Sequence, residues 1–213
     1  MKRTMVGRLA NALAAVMLLA AGLWGSSAEA TVMVELTLED MARDAVAIVH
    51  GRVVSSSGHL AIRDGSAEPY TVTTLEAIEW IKGPGGESVT LREIGGELPG
   101  NRGGMAIDGV PNYAVGEEVV VFLEDDPRAG FYRTYGMVQG KFVVLHGTPG
   151  VPDTVVRDAE AVSFARWSEG EMIVQRGDRQ AMALETFLDA VAGALRFAPP
   201  AIDTPDVSGE VSR

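Results

Sequence analysis

Cysteine is absent from this chain of 213 residues, which excludes disulfide staples, thiol nucleophiles and thiolate metal sites together. Histidine is nearly as scarce, with three copies, and basic residues are outnumbered 18 to 29 by acidic ones. The resulting net charge of −11 repels phosphate backbones and anionic membrane surfaces, so nucleic acid is not an expected partner. No apolar run after residue 24 is long enough to anchor the chain in a bilayer, and no cysteine is present to carry a lipid. A protein held without disulfides needs a real core, and about 180 residues suffice for one.

The first thirty residues read as a cleaved export signal. Lys2, Arg3 and Arg8 form a positive start, residues 12–24 are apolar, and Ala28-Glu29-Ala30 has the small-x-small form of a cleavage site. The expected mature chain begins at Thr31 and works outside the cytoplasm, in the periplasm or medium. With Lys2, Arg3, Arg8 and Glu29 removed, its charge moves from −11 to −13.

Thr37-Leu38-Glu39-Asp40 sets a capping hydroxyl ahead of two acids, which predicts a short helix ending near Asp44. The period then changes to two: Ala45, Ala47, Val49, Gly51 and Val53 share a face over residues 45–54, as in a half-buried strand. Residues 55–68, rich in Ser, Gly and Asp, read as a hairpin loop. Residues 70–82 are β-branched and aromatic but split their apolar side chains between both faces, as a bulged or doubly covered strand does. A third strand is predicted over 88–94, a glycine-rich loop over 95–104, and a central strand over the apolar run 119–123. Residues 131–138 and 141–146 flank Gln139-Gly140, which reads as a tight hairpin turn with glycine at a positive-φ position. Pro149 and Pro152 mark a linker, 154–177 fits either a short hairpin or irregular wrapping, and 178–197 carries the apolar stripe of a helix. The final residues, 198–213, read as a disordered tail.

This order predicts a mainly β fold: a small barrel over 31–147, with a short N-terminal helix, and a C-terminal extension over 148–197 whose amphipathic helix packs on it. The succession Ala45-Val46-Ala47-Ile48-Val49-His50-Gly51-Arg52-Val53-Val54, Tyr70-Thr71-Val72-Thr73, Ile81-Lys82-Gly83, Val115-Gly116-Glu117 and Gln139-Gly140-Lys141-Phe142 resembles the core of uncharacterised exported bacterial proteins. More distantly it is similar to the netrin-like, OB-type barrels of tissue inhibitors of metalloproteinases. The resemblance covers residues 40–144 and implies an OB-like or netrin-like barrel that binds partners on an exposed face. Those inhibitors chelate a target zinc through an N-terminal cysteine, whereas Thr31 stands at the expected mature terminus here. The architecture carries over and the inhibitory mechanism does not.

Catalytic signals are weak. His50, His59 and His146 lack the spacing of a zinc-protease helix, and no Gly-x-Ser-x-Gly elbow occurs. Asp64, Glu68, Asp108, Asp125 and Asp126 offer carboxylates without a spacing that assigns acid and base roles. No catalytic residue, metal ligand or cofactor is therefore assigned. Arg102, at the tip of the glycine-rich loop, and Tyr132 and Tyr135, on the strand before the last turn, are the candidate ligand contacts; Gly83, Gly116 and Gly140 are the candidate structural glycines. The expected function is a non-enzymatic exported module binding a protein or envelope partner. Two alternatives stand beside it: a hydrolase whose carboxylate and histidine site forms only in three dimensions, and a structural component of the envelope.

Overall fold

The computed structural model describes residues 31–63, 65–100, 103–128 and 130–197. The expected leader and tail, as well as Asp64 and Arg102, lie outside the described residues. The fold is mainly β. In chain order its elements are β1 (Thr31–Val34), α1 (Leu38–Asp44), β2 (Ala47–Arg63), β3 (Ser66–Lys82), β4 (Ser88–Ile94), β5 (Gly96–Glu97), β6 (Gly104–Met105), β7 (Glu118–Asp125) and β8 (Tyr132–Thr134). A 3-10 turn (Met137–Gly140) then leads to β9 (Lys141–Leu145), β10 (Thr154–Asp158), β11 (Val162–Ser168), β12 (Glu171–Arg176), β13 (Arg179–Ala183) and α2 (Leu184–Phe197).

Eight strands form the main sheet, in the order β13-β10-β9-β7-β2-β3-β4-β8, and β8 also pairs with β7. The run β7-β2-β3-β4-β8 thus curls back toward its start. The barrel is not closed, because β8 meets β4 at a single parallel position, Leu91 with Tyr132, against three antiparallel positions on β7. The apolar run in β7 sits at the middle of this arrangement and is buried throughout. Its alternate side chains feed two cores. Val119, Val121 and Leu123 point into the curl with Ala47, Val49, Leu75 and Leu91, while Val120 and Phe122 face the helices with Met41, Ile48, Phe142 and Phe187.

Thr37 caps α1 as its hydroxyl position predicts, accepting the Asp40 N–H at 3.0 Å. Helix α2 lays Phe187 and Val191 on the first core, where Phe122, Phe142 and Phe187 form an aromatic cluster with centroids 4.5–6.4 Å apart. Neither helix is long and apolar enough to cross a membrane.

Four expectations are corrected. Residues 55–68 are not a loop: β2 and β3 continue as a paired ribbon to Arg63 and Ser66, with His59 stacked on Tyr70. Both faces of that ribbon are half-exposed, so its serines and glycines mimic a loop. The expected bulges are present as register shifts after Ile48, His50 and Val53. Residues 131–146 are not a hairpin, since Gly136 turns left-handed at φ 69° and ends β8 early, and β9 pairs with β7 instead. Gly140 is needed for space rather than positive φ, because a Cβ there would lie 2.0 Å from the Tyr135 carbonyl oxygen. Residues 179–183 form a strand on β10, so the helix starts at Leu184. Residues 154–177 resolve into three strands. Of these, β11 and β12 join β1 in a separate three-stranded sheet, with β1 parallel to β11.

Candidate functional site

Two of the three histidines converge on one carboxylate. Strand β2 carries His50 opposite Val120 and Arg52 opposite Glu118 of β7. Glu118 is buried, yet its two oxygens are fully engaged. Nε2–H of His50 donates to Oε1 at 2.9 Å, Arg52 Nη2 donates to Oε2 at 2.6 Å, and His146 Nε2 lies 3.3 Å from Oε2. The other ring nitrogen of His146 meets Asp153 at 3.0 Å, and Asp153 also accepts the Gly147 N–H at 2.9 Å. The Asp153 hydrogen bond, helped by the charge on Glu118, holds the His146 pKa above its usual value; the Gly147 N–H, then His146, holds Asp153 below. Chemically this is a clamp. A general base needs a free lone pair aimed at substrate, whereas Glu118 spends both oxygens on cationic or N–H donors. Among the described residues no hydroxyl side chain hydrogen-bonds to His50, Glu118 or His146.

A second buried carboxyl lies at the mouth of the curl. The inward parity of β4 runs Val89, Leu91, Glu93, so the strand that feeds the core ends in an acid. Glu93 Oε1 accepts from the Thr134 N–H at 2.8 Å and the Thr134 hydroxyl at 2.6 Å, and the Tyr113 hydroxyl donates to Thr134 at 2.6 Å. Burial pushes the Glu93 pKa up, opposed by these two hydrogen bonds, and burial pushes the Tyr113 phenol up as well. Nearby, Lys141 donates to Glu117 at 2.7 Å and to the Asn112 carbonyl, and sits 4.7 Å from the Tyr113 ring centre. Its burial lowers its pKa, against the pull of Glu117.

Glu93 opens onto a groove of about 930 Å³. One wall is Ser56, Ser57 and Gly58 of β2 with Thr71 of β3; the other is formed by residues 96–98, 103–107 and 110–112. The two walls are locked tightly. Thr71 donates its hydroxyl to the Gly95 carbonyl at 3.0 Å, and a Cβ on Gly58 would overlap the Glu97 carbonyl oxygen at 1.9 Å. Along the groove Gly96 pairs with Met105 and Glu97 with Gly104 in the β5–β6 ladder, and the Gly103 carbonyl accepts the Leu98 N–H at 2.8 Å.

Of the candidate contacts from the sequence, Tyr132 and Tyr135 fall elsewhere, while Arg102 is outside the described residues. Tyr132 and Tyr135 are half-buried on opposite cores, the first beside the interior of the curl and the second under α1. The Tyr135 hydroxyl reaches Asp44, and burial raises its pKa. Gly83 adopts φ 123° with its α-carbon pressed toward Ala47 and Trp80, and Gly116 adopts φ 89° in the open turn before β7. Glu93 and Glu118 were not signalled by any motif. Compared with known proteins, the chain matches no family model and no curated sequence.

Proposed function

We propose that the chain is an exported, non-enzymatic binding module that takes an extended, basic segment of a protein partner in the groove beside Glu93. The observation that carries this reading is the groove itself, whose volume lies within the range of ligand sites and which opens at the mouth of a curled sheet, a common place for them. A groove walled by β2, β3, β5 and β6 suits an extended polypeptide, which recognises strand-like walls through main-chain hydrogen bonds. Glu93 and Glu97 line it without a balancing lysine or arginine among the described lining residues, which favours a basic segment.

An OB-like assignment is supported by the meander β2-β3-β4 followed by β7 and β8, with β8 parallel to β4 and antiparallel to β7, a five-stranded, partly open Greek-key arrangement. The netrin-like resemblance adds nothing to the choice of partner, because the cysteine chemistry it relies on is missing. Export follows from the leader pattern, and mass spectrometry of the exported protein should find Thr31 at its N-terminus.

Asn112→Trp tests the groove. Asn112 is exposed and uses its carbonyl, not its side chain, to hold Lys141, so an indole fills the groove without disturbing that contact. Immobilised wild type should retain a partner from an envelope fraction that the variant, with an unchanged melting curve, does not. Equal retention by both removes the groove from the reading. The convergence of His50 and His146 on Glu118 favours a second reading, a hydrolase. Turnover of an ester or peptide substrate that disappears in Glu118→Gln would support it over the binding module.

A further inference from the structure

Strands covered on both faces carry continuous apolar runs, whereas strands with one solvated face alternate. In the sheet β1-β11-β12 the runs Val32-Met33-Val34 and Met172-Ile173-Val174 have the composition of the first kind without its cover. The sheet's inner face packs Met33, Val162 and Phe164 against the body. Its outer face presents Val32, Val34, Trp167, Met172 and Val174, with Trp167 76% exposed and Val34 72%. Registers place these side chains together: Val34 pairs with Ala165, Ala165 with Val174, and Trp167 with Met172. In a chain of net charge −11, this face holds no carboxylate among the described residues, and its one charge among them is Arg176, beside Ser163 in the ladder.

We propose that this face is the contact between two copies of the chain, packed sheet on sheet about a twofold axis over Ala165. Three features of the face are self-complementary under that operation. Along β11 the outward residues are Ser163, Ala165 and Trp167, two small and one large, with Ser163 and Trp167 about 13 Å apart. An axis over Ala165 sets the Trp167 indole of each copy over the small Ser163 of the other, and the two Ala165 residues against each other. Arg176, cross-strand neighbour of Ser163, then meets the incoming indole, which attracts a guanidinium to its ring face. Arg176, which within the chain donates Nε to the Glu160 carbonyl at 3.3 Å, thereby gains an aromatic partner from the second copy.

Area and charge agree with this occupant. A stable interface covers roughly 800 Å² on each partner, and one buried tryptophan supplies about 150–250 Å² of it. Four further apolar side chains, Val32, Val34, Met172 and Val174, together with the stem of Arg176, bring the face to that order. The acidic remainder of the surface opposes self-association everywhere else. A basic partner segment gains nothing from a face without carboxylates.

The test is the oligomeric state of the exported, purified protein by sedimentation equilibrium, independent of the groove and of any captured partner. Wild type should be a dimer at micromolar concentration, with tryptophan emission shifting to the red on dilution. Trp167→Glu and, separately, Val34→Lys should be monomers with unchanged circular dichroism. Arg176→Gln should remain a dimer with its Kd raised on the order of fivefold, as the loss of one cation–π contact predicts. A monomeric wild type overturns the proposal and assigns the face to another protein or to residues 198–213. A Trp167→Glu protein that stays dimeric overturns it equally, by placing the contact elsewhere.

Discussion

Strand β7 and the sheet β1-β11-β12 carry similar sequence and meet different fates. In β7 the run Val119-Val120-Val121-Phe122-Leu123 is fully buried because a core lies on each side. In β1 the run Val32-Met33-Val34 finds cover on one side only, and in β12 the run Met172-Ile173-Val174 is exposed on both. Composition tells how many faces of a strand will be covered, and the chain's own fold need not supply all the cover. Where it does not, the remaining face has to be matched to another surface.

Matched substitutions in the two regions sharpen that contrast. Val121→Asp, at 0% exposure, buries a carboxylate without a partner and should cost several kcal/mol, on the order of a domain's whole stability. Val174→Asp, at 52% exposure, should change the stability of the monomer by no more than about 0.5 kcal/mol. Urea titrations of both variants under dilute, monomeric conditions read the difference. Equal losses would mean that the outer face is already packed within one chain. Phe187→Ala, fully buried in the aromatic cluster under α2, falls between them at about 3–5 kcal/mol.

The same contrast explains what could be read from sequence. Local signals were sufficient where structure is local: the Thr37 cap, the glycine stop at 83, the β7 run and the stripe that places Phe187 and Val191 on the core. They failed where pairing is distant. Strand β1 finds β11 across more than half of the chain, and no period in Thr31-Val32-Met33-Val34 names that partner. The ribbon at 55–68 failed for another reason, since a two-sided, half-wet strand needs no apolar alternation. At the candidate sites the histidines drew notice by rarity, but Glu118 did not, because a buried acid at the head of an apolar run looks like an ordinary strand edge. Glu93 was legible in principle. It continues the inward parity of Val89 and Leu91, and a carboxylate on a core-facing parity is the anomaly to look for.

Glu118 separates the clamp from a catalytic site. Glu118→Ala leaves His50 buried without its acceptor and frees Arg52 and His146, and should cost roughly 2–3 kcal/mol by the loss of charge-assisted hydrogen bonds. Glu93→Gln should act in the opposite direction. Gln offers the same carbonyl-type acceptor to the Thr134 N–H and hydroxyl, while removing a carboxyl whose burial raises its pKa. A raised carboxyl pKa means that the folded state holds its proton more tightly than the unfolded chain. Wild type therefore loses stability as pH rises from the ordinary carboxyl range through the folded-state pKa. The variant should melt higher than wild type at pH 7, by about 2–4 °C for each kcal/mol gained, and the gap should narrow at pH 4. A gap independent of pH would mean that the carboxyl is not the source.

The smallest expected effect belongs to His146, because its ring is largely in water and the clamp survives on His50 and Arg52. Its pKa is raised, first by Asp153 and then by Glu118, so the folded chain binds the imidazole proton more tightly than the unfolded chain. The sign follows: this contribution is fully present below the unfolded value of about 6.5 and is lost as pH rises through the folded value. His146→Asn should lower the melting temperature slightly at pH 5.5 and leave it unchanged at pH 9, where the wild-type ring is neutral in both states. Asp153→Asn should reproduce most of that profile, since Asp153 is the leading cause of the shift, and the double variant should add little to either. Additive losses in the double variant would show that the two residues stabilise the loop between β9 and β10 separately, and the ion pair would then carry none of the pH dependence.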